Sequence, residues 1–167
     1  MKNLHEGRIA RLAEKSDHKT LATWALDCAE RALPLFESTY PKDVRPRVAI
    51  ETGRTWVKTG VFSMAVIRKA SLDSHSAARK VKDDSARSAA RAAGQAVASA
   101  HVPTHALAAA GYAAAAIRDS SDPDSADSAA TEEREWQYQH LMNLGRPRSV
   151  DLSREPNAER CRQRSRT

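Results

Sequence analysis

The sequence predicts an all-α protein: a single-domain bundle of six or seven helices around an alanine-rich central helix pair, with a disordered C-terminal tail. Three observations lead there. From Ala86 to Ala116, sixteen of 31 residues are alanine. Alanine loses no rotamer entropy in a helix and is small enough to let neighbouring helices approach closely. Elsewhere, apolar residues recur at i, i+3 and i+4, the spacing of one helix face. No stretch alternates with period two over a useful length, so no sheet is expected. The helical domain is placed at 1–145 and the tail at 146–167.

In chain order, Leu4, Arg8, Ile9 and Leu12 define a short amphipathic helix over residues 4 to 14. Ser16 or Asp17 then caps a second helix, since a short oxygen-bearing side chain satisfies an N–H that the first turn leaves open. Its apolar stripe is Leu21, Trp24, Ala25, Cys28, Ala32, Leu35 and Phe36. Pro34 is expected to kink it near its end. Asp27 and Arg31, four apart, are expected to pair on its flank. Residues 40 to 45 read as a turn in which Asp43 caps a third helix with Pro46 in its first turn. That helix presents Val48, Ala49, Thr52, Gly53 and Trp56, and Gly60 ends it. Ser63 caps a fourth helix, with Phe62 and Ile67 spaced as a hydrophobic staple. The stripe assigned to it is Ala65, Arg68, Leu72, His75 and Arg79. A face with two arginines and a histidine suits half burial better than a core.

Asp83, Asp84 or Ser85 opens the alanine-rich segment. Pro103 lacks an N–H and crowds the carbonyl of Ser99, so the segment bends or breaks near His101. If helical phase survives the bend, Gly94, Ala98, His101, His105, Ala108 and Tyr112 share one face. Any site in this protein is expected beside that face, with Gly94 and Ala98 as the closest helix contacts. Asp122 is read as the cap of a last helix, with Pro123 at its first position, running through Trp136 to about Leu144 and closed by Gly145.

The formal net charge of +6 is concentrated in the tail. Residues 146 to 167 hold seven arginines against three acids, so the remaining chain carries only +2. The basic character therefore says little about a nucleic-acid-binding domain, and any nucleic-acid contact is expected to be weak and through the tail. Cys28 lies within a helical stripe and Cys161 in the tail. With no CxxC, this usage suits a reducing cytoplasm. No segment reads as a signal peptide or approaches the ~18 apolar residues of a membrane span. Trp24, Trp56 and Trp136 are expected as core anchors, filling the volume that alanines leave.

Four separated blocks carry a resemblance: DHKTLATWALDCAERALPLFE (17–37), RPRVAIETGRTWVKTG (45–60), ARSAARAAGQAVASAHVPTHALAAAGYAAAAI (86–117) and EREWQYQHL (133–141). In order and spacing, over roughly residues 16 to 144, the chain resembles the bacterial immunity protein five-like family. That resemblance implies a cytoplasmic protein that binds and neutralises a cognate protein toxin. It carries no catalytic site. The chain departs from the family pattern at Pro103, between the two histidines, and at Gln95, where a histidine is expected.

Set against that background, the chemistry-bearing residues divide into three groups. His101 and His105 have the i, i+4 spacing that brings two imidazoles to one metal, with His75, Asp27 or Glu51 as available third donors. HVPTH lacks the glutamate of HExxH and holds a proline, so neither a metal nor a cofactor is expected. Cys28 beside Asp27 resembles a nucleophile only nominally; a thiol on a packed stripe is inert. Asp27, Arg45, Glu51, Arg79 and Arg91 form either interhelical ion pairs that hold the packing or a polar pocket for a ligand or a partner's side chain. The candidate cluster is thus Asp27, Arg45, Glu51, His75, Arg79, His101, His105 and Tyr112. The expected function is stoichiometric binding of a toxin. The rival class is a helical enzyme or small-ligand-binding domain using the cluster near His101 and His105. The sequence assigns no oligomeric state.

Overall fold

A computed structural model describes residues 4–146. Seven α-helices make up the fold: α1 (Leu4–Ala13), α2 (His18–Glu37), α3 (Arg45–Thr59), α4 (Met64–Lys80), α5 (Asp84–Ala98), α6 (His105–Ser120) and α7 (Ala126–Leu144). There is no strand among the described residues. The tail from residue 147, with Cys161, lies outside them.

The alanine-rich segment is two helices that double back on each other, and α5 is the hub. It packs on α2, α3, α4 and α6. Ala86, Ala89, Ala90, Ala92, Ala93, Ala96 and Val97 are buried nearly all the way round it. Small side chains on the hub let four neighbours come close, and the large ones come mainly from α2. Trp24, Leu26, Leu33 and Phe36 are essentially without solvent contact. The Trp24 indole N–H donates to the Gln137 carbonyl at 2.8 Å, and Gln137 Nε2 donates to the Ala110 carbonyl at 3.0 Å. These two bonds tie α7 to α2 and α6. A third, Ser74 Oγ to the Ala90 carbonyl at 2.7 Å, ties α4 to α5.

Local caps follow the expected chemistry at Asp17, Ser63 and Asp83, whose oxygens accept from the N–H groups of Thr20, Val66 and Ala86. Gly60 closes α3 at φ 71°, where a side chain would be strained. Three local expectations are corrected, at the starts of α3 and α7 and in the rotation of α4. Val44, not Asp43, stands directly before α3, and Asp43 accepts from both the Arg45 N–H at 3.3 Å and the Arg45 guanidinium. Ser125 stands at the start of α7, because residues 122 to 125 close a turn through the Ser125 N–H and the Asp122 carbonyl. Helix α2 runs as one element through Pro34 to Glu37. Finally, α4 is turned relative to the stripe assigned to it: it buries Ile67, Ala70, Ser74, Ala77 and Ala78. Ala65, Arg68, Leu72 and Arg79 are exposed. Helix α3 shows the same slip on a smaller scale, burying Ile50 while Val48 is 45% exposed.

Candidate functional site

The sequence-predicted cluster splits between two surface regions. The first is a groove of about 360 Å³ between α4 and the α5–α6 hairpin. Its wall on α4 is the turned-out face: Met64, Arg68, Leu72 and His75. Its opposite wall is Gln95, Ala98, His101 and His105. Residues 99 to 104 break the helix between the histidines, so the face proposed for them is not continuous. The hairpin nevertheless returns His105 to α5, where its Nδ1–H donates to Gln95 Oε1 at 2.7 Å. Gln95, the departure from the family pattern, thus orients one of the two histidines.

His75 reaches this groove across α5. Its ring lies over Gly94: a Cβ there would sit 2.9 Å from His75 Cε1 and Nε2. The His75 Nδ1 is buried without a hydrogen-bond partner. Burial, with Arg91, Arg79 and His105 nearby, holds the His75 imidazole below the ordinary histidine value and so favours its neutral form. Tyr112 stands beside Arg91, the guanidinium carbon 6.0 Å from the ring centroid. Ala98 lines the groove and is only partly buried, which corrects its assignment as a close helix contact. The contact at Gly94 is made by the His75 ring.

The second region lies between α2, α3 and α7, and it takes Asp27. The expected Asp27–Arg31 pair does not form. Asp27 accepts from Arg54 Nη1 at 2.6 Å and from His140 Nε2 at 2.6 Å. Arg54 also binds Glu30. Arg31 crosses instead to Glu133, with both nitrogens 3.0 Å from Oε2. Glu133 is 3% exposed, and Gln137 Nε2 donates to its other oxygen at 3.0 Å. Above this network Trp136 is stacked on His140, with ring centroids 4.7 Å apart, and Arg31 lies 3.9 Å from the Trp136 centroid. Trp136 is therefore half-buried in a polar cleft, unlike Trp24 and Trp56, which are buried as expected.

Arg45 and Glu51 belong to neither region. Arg45 is held by Asp43, and Glu51 is exposed on α3. Cys28 is fully buried, and desolvation with the nearby Glu133 and Asp27 carboxylates pushes its thiol well above the ordinary value. That leaves a packed thiol with no nucleophilic character at neutral pH. Among the described residues, no three His, Cys, Asp or Glu side chains converge on a possible metal position. Three network residues, Arg54, Glu133 and His140, escaped the sequence reading. Asp27, Arg31 and Trp136 are the members of that cleft that the sequence reading singled out.

Chemically, the second region is self-satisfied: each cation in it has a carboxylate. The groove combines apolar side chains, three imidazoles and the Arg68 guanidinium, and no carboxylate lines it. It can accept an anionic or mixed apolar and anionic surface.

Residues 11–144 match the model of a protein family described as Imm-5 like putative immunity protein. No curated protein and no solved structure matches the chain.

Proposed function

The chain belongs to the Imm-5 like immunity protein family, and from that premise we propose that it binds a cognate protein toxin in the cytoplasm and neutralises it one to one. No catalytic step of its own enters this reading. The supporting observation is the groove between α4 and the α5–α6 hairpin. Its rim leaves Met64 42% and Leu72 53% exposed, and Arg68 lines it with no carboxylate in the lining. A recognition surface has this mixed apolar and charged character. The described helices include none long and apolar enough to cross a membrane.

The alternative, a helical enzyme or small-ligand-binding domain, would use the same groove with His101 and His105. Dose separates the two. A toxin domain sought among the genes beside this chain's is expressed at fixed level while the chain is titrated. Protection that saturates at one chain per toxin, with a one-to-one complex by light scattering, is the expected result. Protection at amounts far below equimolar would favour an enzyme, and neither protection nor complex would overturn toxin binding.

A further inference from the structure

The arginines of α2 to α7 divide sharply. Arg31, Arg45, Arg47, Arg54, Arg87, Arg118 and Arg134 each have a carboxylate within 4 Å. Arg68, Arg79 and Arg91 have none among the described residues; Arg68 and Arg79 lie three turns apart on α4, about 16 Å along its axis, and Arg91 lies on α5. Arg68 lines the groove. Arg79 and Arg91 stand close enough to His75 to act on its charge from α4 and α5. Arg68, Leu72, His75 and Arg79 follow at steps of four, three and four, so they occupy one face of α4. Met64 and Leu72 flank them in the open. Phe62, 44% exposed, lies near His101 with ring centroids 6.3 Å apart and planes 27° from parallel.

Guanidinium groups take carboxylates with two parallel hydrogen bonds. Beside apolar side chains that exclude water, such a bond strengthens, and arginine is among the residues that dominate binding energy at interfaces.

We propose that this face of α4 and its groove are the docking site for an acidic, apolar-flanked segment of the partner toxin. One partner carboxylate is received by Arg68 and a second by Arg79 three turns along, and an apolar side chain between them seats against Met64 and Leu72. Arg91 supplies positive potential behind them. The inference rests on the toxin-binding reading above and names the surface that would carry it.

The test uses the full chain and that toxin domain. Arg68 and Arg79 are exposed, so the double variant Arg68→Glu, Arg79→Glu leaves the core untouched, and its helical circular dichroism and melting midpoint verify that. Lys15→Glu, in the exposed turn after α1, changes charge away from the groove. Calorimetry should show the double variant weakened on the order of 100-fold or more, as for charges at the centre of an interface. Lys15→Glu should stay within about threefold of wild type. A double variant that binds like wild type overturns the docking site while toxin binding stands. Equal weakening by Lys15→Glu overturns it too, since net charge rather than this face would then be recognised. If the wild-type chain forms no complex, the toxin-binding reading fails and the docking site falls with it.

Discussion

The two polar regions of this bundle are built from the same residue types and behave in opposite ways. Between α2, α3 and α7, arginine and histidine are matched by Asp27, Glu30 and Glu133 in bonds of 3.0 Å or less. Between α4 and the α5–α6 hairpin, arginine and histidine meet apolar groups and no carboxylate. A buried carboxylate such as Glu133 is tolerable only with its partners in place, so the first region constrains how three helices sit together. The second imposes no such constraint, and its charges are free to act on something outside the chain. Charge clusters in a small helical protein are therefore better sorted by whether they are satisfied internally than by composition.

The contrast predicts opposite responses to losing an arginine. Arg31→Met leaves Glu133 buried without its cation and should lower stability by about 3 kcal/mol in denaturant melts. Arg79→Ala removes an exposed, unpaired side chain and should change it by less than about 0.5 kcal/mol. If the two effects were equal, the distinction between matched and unmatched regions would have no energetic meaning.

A glycine from each region gives the next test. At Gly53, facing α2, an added Cβ would lie 2.6 Å from Leu26 Cδ2, and Leu26 is 1% exposed with nowhere to go. Gly53→Ala should cost about 1–3 kcal/mol. At Gly94 the obstacle is the tip of the His75 ring, which borders an open groove and can swing away. Gly94→Ala should therefore be near neutral, its helix-propensity gain offset by displacement of the ring. In a His75→Ala background the same change should stabilise by roughly 0.5–1 kcal/mol. Absence of that difference would mean that the ring does not rest on Gly94.

The smallest effect is a pH dependence. With its proton affinity lowered by burial and nearby cations below the ordinary histidine value of 6.5, His75 binds a proton more readily in the unfolded chain than in the folded one. Its contribution to stability is complete above pH 6.5 and is lost as pH falls through the lower folded value. Arg79 on its own helix, Arg91 on α5 and His105 on α6 face it and all act in that direction. Stability measured from neutral pH downward should show this loss, and His75→Gln should flatten it. Asp83, lowered from 3.8 by bonds to the Ala86 N–H and the Ser85 hydroxyl, contributes stability that is lost only in more acid solution, as pH falls through its own lowered value. The two windows separate.

Much of the architecture was legible from residues alone because its causes are local. Asp17, Ser63 and Asp83 cap helices through bonds spanning three residues. Gly60 ends α3 through its own backbone angle, and the burial of Trp24 and Phe36 follows from a clean stripe with strong apolar contrast. Asp43 and Asp122 failed as caps because each lies in a chain reversal that uses it differently: Asp43 turns to the Arg45 guanidinium, and the Asp122 carbonyl closes a turn. The candidate cluster is divided by the fold. His75, His101 and His105 do meet in one groove, but Asp27 is spent elsewhere, and Arg45 and Glu51 belong to neither region.

Helix content, most helix limits, the alanine hub and the family blocks follow from short-range propensity, capping and periodicity, which need no knowledge of neighbours. Rotation about a helix axis is a different quantity. For α4, the buried set Ile67, Ala70, Ser74, Ala77 and Ala78 has helical spacing just as the stripe through Arg68 and Leu72 does, and the face that carries the Ser74–Ala90 bond is the one turned to α5. The pairings of Asp27 with His140 and of Arg31 with Glu133 span more than a hundred residues. No periodicity encodes them, since they depend on which helix ends the assembled bundle brings within hydrogen-bonding reach.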